Sequence, residues 1–320
     1  MIVDFQHHYV PYELAARHGV AGRGRVEVRD GAAPKVTLHE KLYDLEIQLA
    51  DMDQMGIDVA VLSCFIAWDA SPEDCRFVNQ KMAEAQSRSK RFRGFAHIPA
   101  HDAKAAVKEL EHAITGLGLR GLAVTSQIMG KPLDAPDFFP IYEAAAKLDI
   151  PIWVHPAMSP KGYTLAEDHD LGRILVREFD LCLAAARLIA GGVLETFPSL
   201  KFVIAHFGGG IAAIKERLLK RAHRFDRPLK RPFAELFDSL YFDMAGFEGG
   251  TLALDAALAG ISPDRLVFAT DYPQDFTGVS TSSGVRPPTV TEYIGAIRKR
   301  LPAAAAEKVL GETAAELLKL

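Results

Sequence analysis

Four short stretches of this 320-residue chain set imidazoles and a carboxylate at the ends of apolar runs. They are Asp4-Phe5-Gln6-His7-His8, Trp153-Val154-His155-Pro156, Ile204-Ala205-His206-Phe207-Gly208-Gly209-Gly210 and Phe268-Ala269-Thr270-Asp271-Tyr272-Pro273. Imidazole nitrogen and carboxylate oxygen are the ligand types that suit zinc or another divalent transition metal with one position left open for water or substrate. Each stretch alone has a plainer reading. A histidine near a strand end is commonly a hydrogen-bonded core residue, and an aspartate before Tyr-Pro commonly forms a turn. Taken together they point to a site, because side chains at strand ends converge when the strands close on one another. In a regular first strand the period of two puts Asp4, Gln6 and His8 on one face and His7 on the other. The glycines after His206 let backbone approach a ligand closely and offer N–H groups at a helix start for an anion.

The elements that must position these groups are read from the hydropathy pattern. Short apolar runs lie at Ile2-Phe5, Val59-Ser63, Arg93-Ile98, Gly121-Val124, Ile152-His155, Phe202-Ala205, Leu240-Asp243 and Leu266-Thr270. Between them are longer stretches patterned as helices, such as Leu38-Met55, Pro72-Ser89, Val176-Thr196 and Ile211-Phe225, with a final pair at Val290-Arg298 and Ala303-Leu318. Apolar strands separated by helices imply a parallel sheet covered on its outer face. Eight such units predict an α/β fold, a closed (β/α)8 TIM barrel, with residues 1–320 as a single domain. Three irregular segments, Gly19-Val36, Met158-Arg173 and Pro273-Pro288, follow the first, fifth and eighth strands. They are therefore expected at the mouth, where barrels bind ligands.

Composition narrows the partner. The chain is 49% hydrophobic and 24% charged, with 37 basic against 41 acidic residues, which argues against a nucleic-acid or membrane-surface footprint and for a small-molecule partner. Cys64, Cys75 and Cys182 have no paired spacing, so neither a disulfide framework nor a cysteine zinc site is indicated. The N-terminus lacks the apolar core of a signal peptide, and no stretch approaches the ~18 apolar residues of a membrane span, so a cytoplasmic protein is expected. There is no dinucleotide fingerprint and no P-loop.

The ordered set D-x-Q-x-H-x-x-P (Asp4 to Pro11), WVHP, HFGG and ATDYP resembles the decarboxylase-like branch of the amidohydrolase superfamily. That branch includes aminocarboxymuconate-semialdehyde and γ-resorcylate decarboxylases, and the resemblance runs from Ile2 to Leu317. Near the carboxyl end, Gly311-Glu312-Thr313-Ala314 is similar to the family's closing G-x-N-A, with Thr313 in place of Asn. The resemblance implies a metal held by Gln6, His8, His155 and Asp271, with zinc expected and manganese the alternative, and His206 beside it handling protons, with Asp271 as a second candidate for that role. It also implies a homodimer. Gln6 departs from the pattern, since relatives carry His or Glu there, and a neutral amide is a weaker ligand.

Around this set, Asp4 is read as the acceptor that fixes the His8 tautomer, and Asp243 as the residue that orients His206. Trp68, Tyr163, Phe247 and Phe276 are candidates to wall a substrate. Arg173, Arg177, Arg23 and Arg25 lie in or beside the mouth segments, where a guanidinium can grip a carboxylate, and Arg173 is the one expected to do so. The activity implied is metal-dependent, non-oxidative decarboxylation of a small aromatic or dienoic carboxylic acid. A hydrolase or hydratase acting through the same site, without metal if Gln6 disarms it, is the alternative, and a barrel that binds without catalysis is the third.

Overall fold

The computed structural model describes residues 1–30, 33–68, 70–246, 250–273 and 289–320, without the side chains of residues 29, 30 and 33–35. Its central elements are parallel strands β1 (Val3–His8), β2 (Val59–Ser63), β3 (Phe92–Gly94), β4 (Leu122–Thr125), β5 (Pro151–His155), β6 (Lys201–Ile204), β7 (Tyr241–Asp243) and β8 (Leu266–Val267). They pair in the order β1-β2-β3 and β4-β5-β6-β7-β8. Single bridges join the two sheets, Ala96 with Leu122 on one side and His7 with Tyr272 on the other, so the ring closes as a (β/α)8 barrel. The strands are apolar and fully buried along most of their length because both faces are covered, which is why they read as continuous runs rather than alternations.

The helices follow local chemistry. Ser71 accepts from the Asp74 N–H and Pro72 opens the helix Pro72–Arg88, while Thr289 and Glu292 form a reciprocal capping box on Val290–Arg300. The stretch expected as one helix over Leu38-Met55 is two, Glu40–Tyr43 and Leu45–Met55, because Asp44 leaves helical geometry and caps the second. Val176-Thr196 likewise divides into Arg177–Ala190 and Val193–Thr196 at Gly191 and Gly192. The first mouth insertion is more regular than its composition suggests. Val26–Asp30 and Ala33–Leu38 pair as an antiparallel hairpin, with Val28 opposite Val36.

Inside the ring, alternate strands contribute a layer of aromatics, as barrel interiors do. Phe5 meets Phe95 edge to face at 5.3 Å, and Phe95 stacks on Trp153 at 5.4 Å. Trp153 and His155 share a face of β5, so this layer is the floor beneath the histidine.

The closing seam is held by a buried carboxylate. Asp4 accepts from the Thr270 N–H at 2.8 Å and its hydroxyl at 2.6 Å, while Phe5 N–H donates to Phe268 O and His8 N–H to Tyr272 O. Asp4 is fully buried, and its carboxyl oxygens find their partners in Thr270 and in His7 Nδ1 at 2.8 Å. Replacing Asp4 with Ala strands these partners and is expected to cost about 3 kcal/mol, against about 1 kcal/mol for Thr270→Val. Denaturant unfolding of both variants measures this; equal losses would contradict the assignment of the clasp to Asp4.

Candidate active site

The C-terminal ends of β1, β5, β6 and β8 bring together Gln6, His8, His155, His206 and Asp271. Ligand atoms of His8, His155 and Asp271 all lie within 4.8 Å of one another. Asp271 Oδ1 accepts from Gln6 Nε2 at 2.5 Å and lies 2.8 Å from His8 Nε2. The His8 and His155 rings meet edge to face at 5.3 Å.

Each imidazole is fixed from behind. His8 Nδ1 shares a 2.9 Å hydrogen bond with Ser63 Oγ at the end of β2, and His155 Nδ1–H donates to the Pro156 carbonyl at 2.7 Å. Both therefore turn Nε2 toward the cluster, the arrangement that orients metal-ligating histidines. Burial, and then the neighbouring His8, hold His155 well below the ordinary imidazole range, so its nitrogen is neutral. Burial alone would raise Asp271, but the hydrogen bond with His8 and the surrounding histidines, His206 among them, outweigh it and hold it at about 2.

The residues present fit a divalent cation. Two imidazoles and an ionised carboxylate are a suitable donor set, and the Gln6 amide oxygen is buried with no partner in its present orientation. A half-turn of the amide would place that oxygen beside Asp271 Oδ1, a contact that a shared cation makes favourable.

His206 occupies unusual backbone. His206, Phe207, Gly208, Gly209 and Gly210 all have positive φ, so the chain makes one left-handed turn rather than opening a right-handed helix. The anion-binding helix start expected there is absent for that reason. Gly209 is required by crowding as well as by φ, since a Cβ would sit 1.8 Å from the Glu178 carbonyl oxygen. At Gly246 a Cβ would come within 2.2 Å of the His206 ring. These close approaches lay the helix Arg177–Ala190 against the turn, and Glu178 Oε1 accepts from His206 Nδ1 at 2.8 Å.

Glu178 is the functional residue that sequence reasoning missed. Its only signal was an acid in the first turn of the helix after the fifth strand, where acids are common for the helix dipole alone. The role given to Asp243 needs correction accordingly. Asp243 accepts from the His206 backbone N–H at 2.9 Å and from Trp153 Nε1 at 2.7 Å, so it fixes the turn rather than the imidazole. Burial raises its carboxyl to about 6.

Asp4 does not hold His8. The β1–β2 register shifts between Asp4 and His7, and this extra residue breaks the strict alternation and brings Asp4 to His7. Trp68 lies 5.2 Å from the His155 ring and is stacked on His97. Tyr163 points elsewhere, donating to Asp180, which also takes Gln127 and Ser126. Arg173 pairs with Asp170 and is exposed, whereas Arg177, one turn on, is drawn into the site. Phe247 and Phe276 lie outside the described residues.

Beside the cluster is a cavity of about 290 Å³, walled by Val28 and Val36 of the hairpin, Phe65, Trp68, Met129 and Met158. Two of its wall residues also flank the cluster, Phe65 meeting the His8 ring edge to face at 5.1 Å and Trp68 lying 5.2 Å from the His155 ring. Thr125, Gln127, Ser159 and Lys161 complete the wall, so apolar faces and polar groups line the same space.

A closed barrel with histidines and a carboxylate gathered at its strand ends defines a barrel with a candidate metal site at its mouth. The chain belongs to the amidohydrolase family, whose model matches residues 3–320. It is 28% identical to a 2-amino-3-carboxymuconate-6-semialdehyde decarboxylase of Dictyostelium discoideum over 65% of this chain and 63% of that protein. It is 30% identical to a γ-resorcylate decarboxylase of Rhodococcus jostii over 74% of this chain and 79% of that one. The fold matches a 5-carboxyvanillate decarboxylase of Sphingomonas paucimobilis with a TM-score of 0.84 at 22% identity, covering 100% of this chain and 99% of that one. A Polaromonas dihydroxybenzoic acid decarboxylase with bound manganese superposes at 0.78 and 23% identity, covering 100% and 97%.

The His206–Glu178 pair has a pH signature. Burial pulls the imidazole down, but the carboxylates of Glu178, Asp271 and Asp243 prevail and raise it from 6.5 to about 10. Because the folded value lies above the ordinary one, the stabilisation is complete below 6.5 and is lost as pH rises through about 10. In metal-free protein, melting temperature should fall over that interval, and Glu178→Gln should flatten the fall while lowering stability at pH 7 by about 1–3 kcal/mol. Parallel curves for the two proteins would contradict the pairing.

Proposed function

We propose that this protein is a metal-dependent, non-oxidative decarboxylase of a small aromatic or dienoic carboxylic acid. The observation that carries the reading is the meeting of His8, His155, Asp271 and Gln6 with a charged, carboxylate-backed His206, with a cavity nearby. The decarboxylases among its relatives support it. His8, His155, Asp271 and the Gln6 amide oxygen would hold a divalent cation, which would supply Lewis-acid chemistry toward the substrate's oxygens.

Phe65, Trp68 and the hairpin valines hold the ring or diene flat and exclude water from the reacting carbon. As the bond to the carboxylate breaks, its electron pair stays on that carbon and CO2 departs. His206 then delivers the proton from Nε2, with Glu178 keeping Nδ1 engaged so that Nε2 is the edge presented, and His206 takes a proton back from water. Asp271, held ionised, is the ligand, which leaves the proton to His206.

The cation we propose is zinc, which two imidazoles and a carboxylate suit, with manganese the alternative suggested by its presence in a relative. Residues 1–320 are proposed as one barrel unit working as a homodimer in the cytoplasm. Leu175, Phe179 and Leu183, exposed at spacings of four, support the pairing. Cys64, Cys75 and Cys182 are free thiols, and no helix among the described residues is long and apolar enough to cross a membrane.

Elemental analysis alongside CO2 release tests the assignment. His155→Ala should lose bound metal and lower turnover on the order of 100-fold or more. Gln6→Glu, which adds a charge to the donor set, should tighten metal binding by about tenfold. Full turnover in His155→Ala would overturn the assignment, and product heavier than substrate by one water would favour hydration or hydrolysis.

A further inference from the structure

Trp68 carries a donor with nothing to receive it. It follows β2, with its ring stacked on His97 at 5.2 Å and 19°, 6.2 Å from the Trp153 ring and 5.2 Å from that of His155. His97 is a fixed platform. Its Nε2 accepts from the Cys64 N–H at 3.0 Å and its Nδ1–H donates to the Phe95 carbonyl at 3.2 Å, while Asn79 accepts its backbone N–H and donates to its carbonyl. The indole is thus held in place, yet its Nε1–H is buried with no acceptor among the described residues. Trp153, by contrast, donates its Nε1–H to Asp243 at 2.7 Å. A buried N–H left unpaired is costly, so the arrangement at Trp68 is completed by something that brings an acceptor. Two spaces border this side chain. One, of about 10 Å³ between Trp68, His97 and Ile128, has room for a single water at most, and the side chains that could hold it, His97 and Thr125, are already bonded to backbone. The other is the cavity of about 290 Å³. There Thr125 and Gln127 are spent on neighbouring groups, His18 and Lys161 are exposed, and the Trp68 Nε1–H is the buried donor left over among the described lining residues.

From this we infer that Trp68 is a specificity-determining residue, whose indole N–H donates to a neutral oxygen, a phenol hydroxyl, aryl ether or ketone, carried by the substrate away from the carboxylate it loses. The inference rests on the decarboxylation reading for the fate of that carboxylate. Phe65 and Trp68 flank His8 and His155 and also wall the cavity, so a body placed at the cluster lies beside the same two rings. A neutral acceptor is favoured over an anion, because the indole brings no charge to offset what a buried anion loses on leaving water. A substrate lacking that oxygen leaves the N–H unpaired, which is how one donor discriminates between ligands of the same shape.

The test uses two matched pairs of probes on the zinc-loaded protein, 4-methoxy- with 4-ethyl-2-hydroxybenzoate and the corresponding 5-substituted acids, each pair exchanging an ether oxygen for a methylene. The chain has 2 tryptophans, so its indole N–H signals in a proton–nitrogen correlation spectrum are assigned by Trp68→Phe, or by difference with Trp153→Phe. In at least one pair the ether should move the Trp68 signal downfield while the alkyl probe leaves it nearly in place. By calorimetry, Trp68→Phe, which keeps an aromatic ring on His97, should lower the ether-to-alkyl affinity ratio in that pair about 10-fold with metal content retained. An unmoved Trp68 signal with either ether bound, a ratio that Trp68→Phe leaves unchanged in both pairs, or no binding of any probe would overturn the inference. The spectrum of the unaltered protein decides the matter even where Trp68→Phe does not fold. CO2 release separates the two claims. A shifted indole signal with no CO2 from any probe upholds the donor and refutes decarboxylation, whereas release from both members of each pair with the indole signal unmoved upholds decarboxylation and refutes the donor.

Discussion

The closure of the first strand onto the last is the constraint on which the rest depends. Gln6 and His8 stand 265 and 263 residues from Asp271 along the chain, and they meet only because Asp4 clasps Thr270 and the β1 backbone bonds to Phe268 and Tyr272. The clasp is a buried carboxylate, so it is strong only while every donor is in place. The bulge between Asp4 and His7 lets one short strand do both jobs. It turns Asp4 and His7 into the seam and leaves Gln6 and His8 for the mouth.

Above that seam, one low-dielectric pocket assigns different charges to chemically similar groups. His155 has no anion of its own and is driven neutral by burial, whereas His206 has Glu178 against its Nδ1 and is driven charged. Asp271 stays ionised because histidines surround it, and Asp243 moves the other way because burial outweighs the backbone and indole N–H groups it accepts from. A neutral imidazole and a charged one, with ring centres 6.2 Å apart, are thus set by partner rather than by position in the sequence.

The barrel and the cluster were legible because both are written in short-range patterns. An apolar run ending in His155-Pro156 or in Asp271-Tyr272 announces a strand and what stands at its tip, and the eight runs fall within a few residues of the observed strands. What could not be read depends on geometry between distant elements. Glu178 looks like any acid at a helix start until Gly209 lets its helix approach the left-handed turn at His206. Arg173 and Arg177 are equivalent in composition, and one turn of helix decides which is spent on Asp170 and which faces inward. Asp4 was misassigned because a single extra residue in β1 cancels the alternation on which the reading relied.

The central claim is that side chains from β1, β5 and the end of β8 hold one divalent cation. Anomalous diffraction from crystals of the manganese- or zinc-loaded protein, collected at the edge of the metal added, tests it most directly. The account predicts a single strong peak in contact with Nε2 of His8 and His155, a carboxylate oxygen of Asp271 and the amide oxygen of Gln6. A metal-saturated protein whose peak lies away from these residues would contradict it.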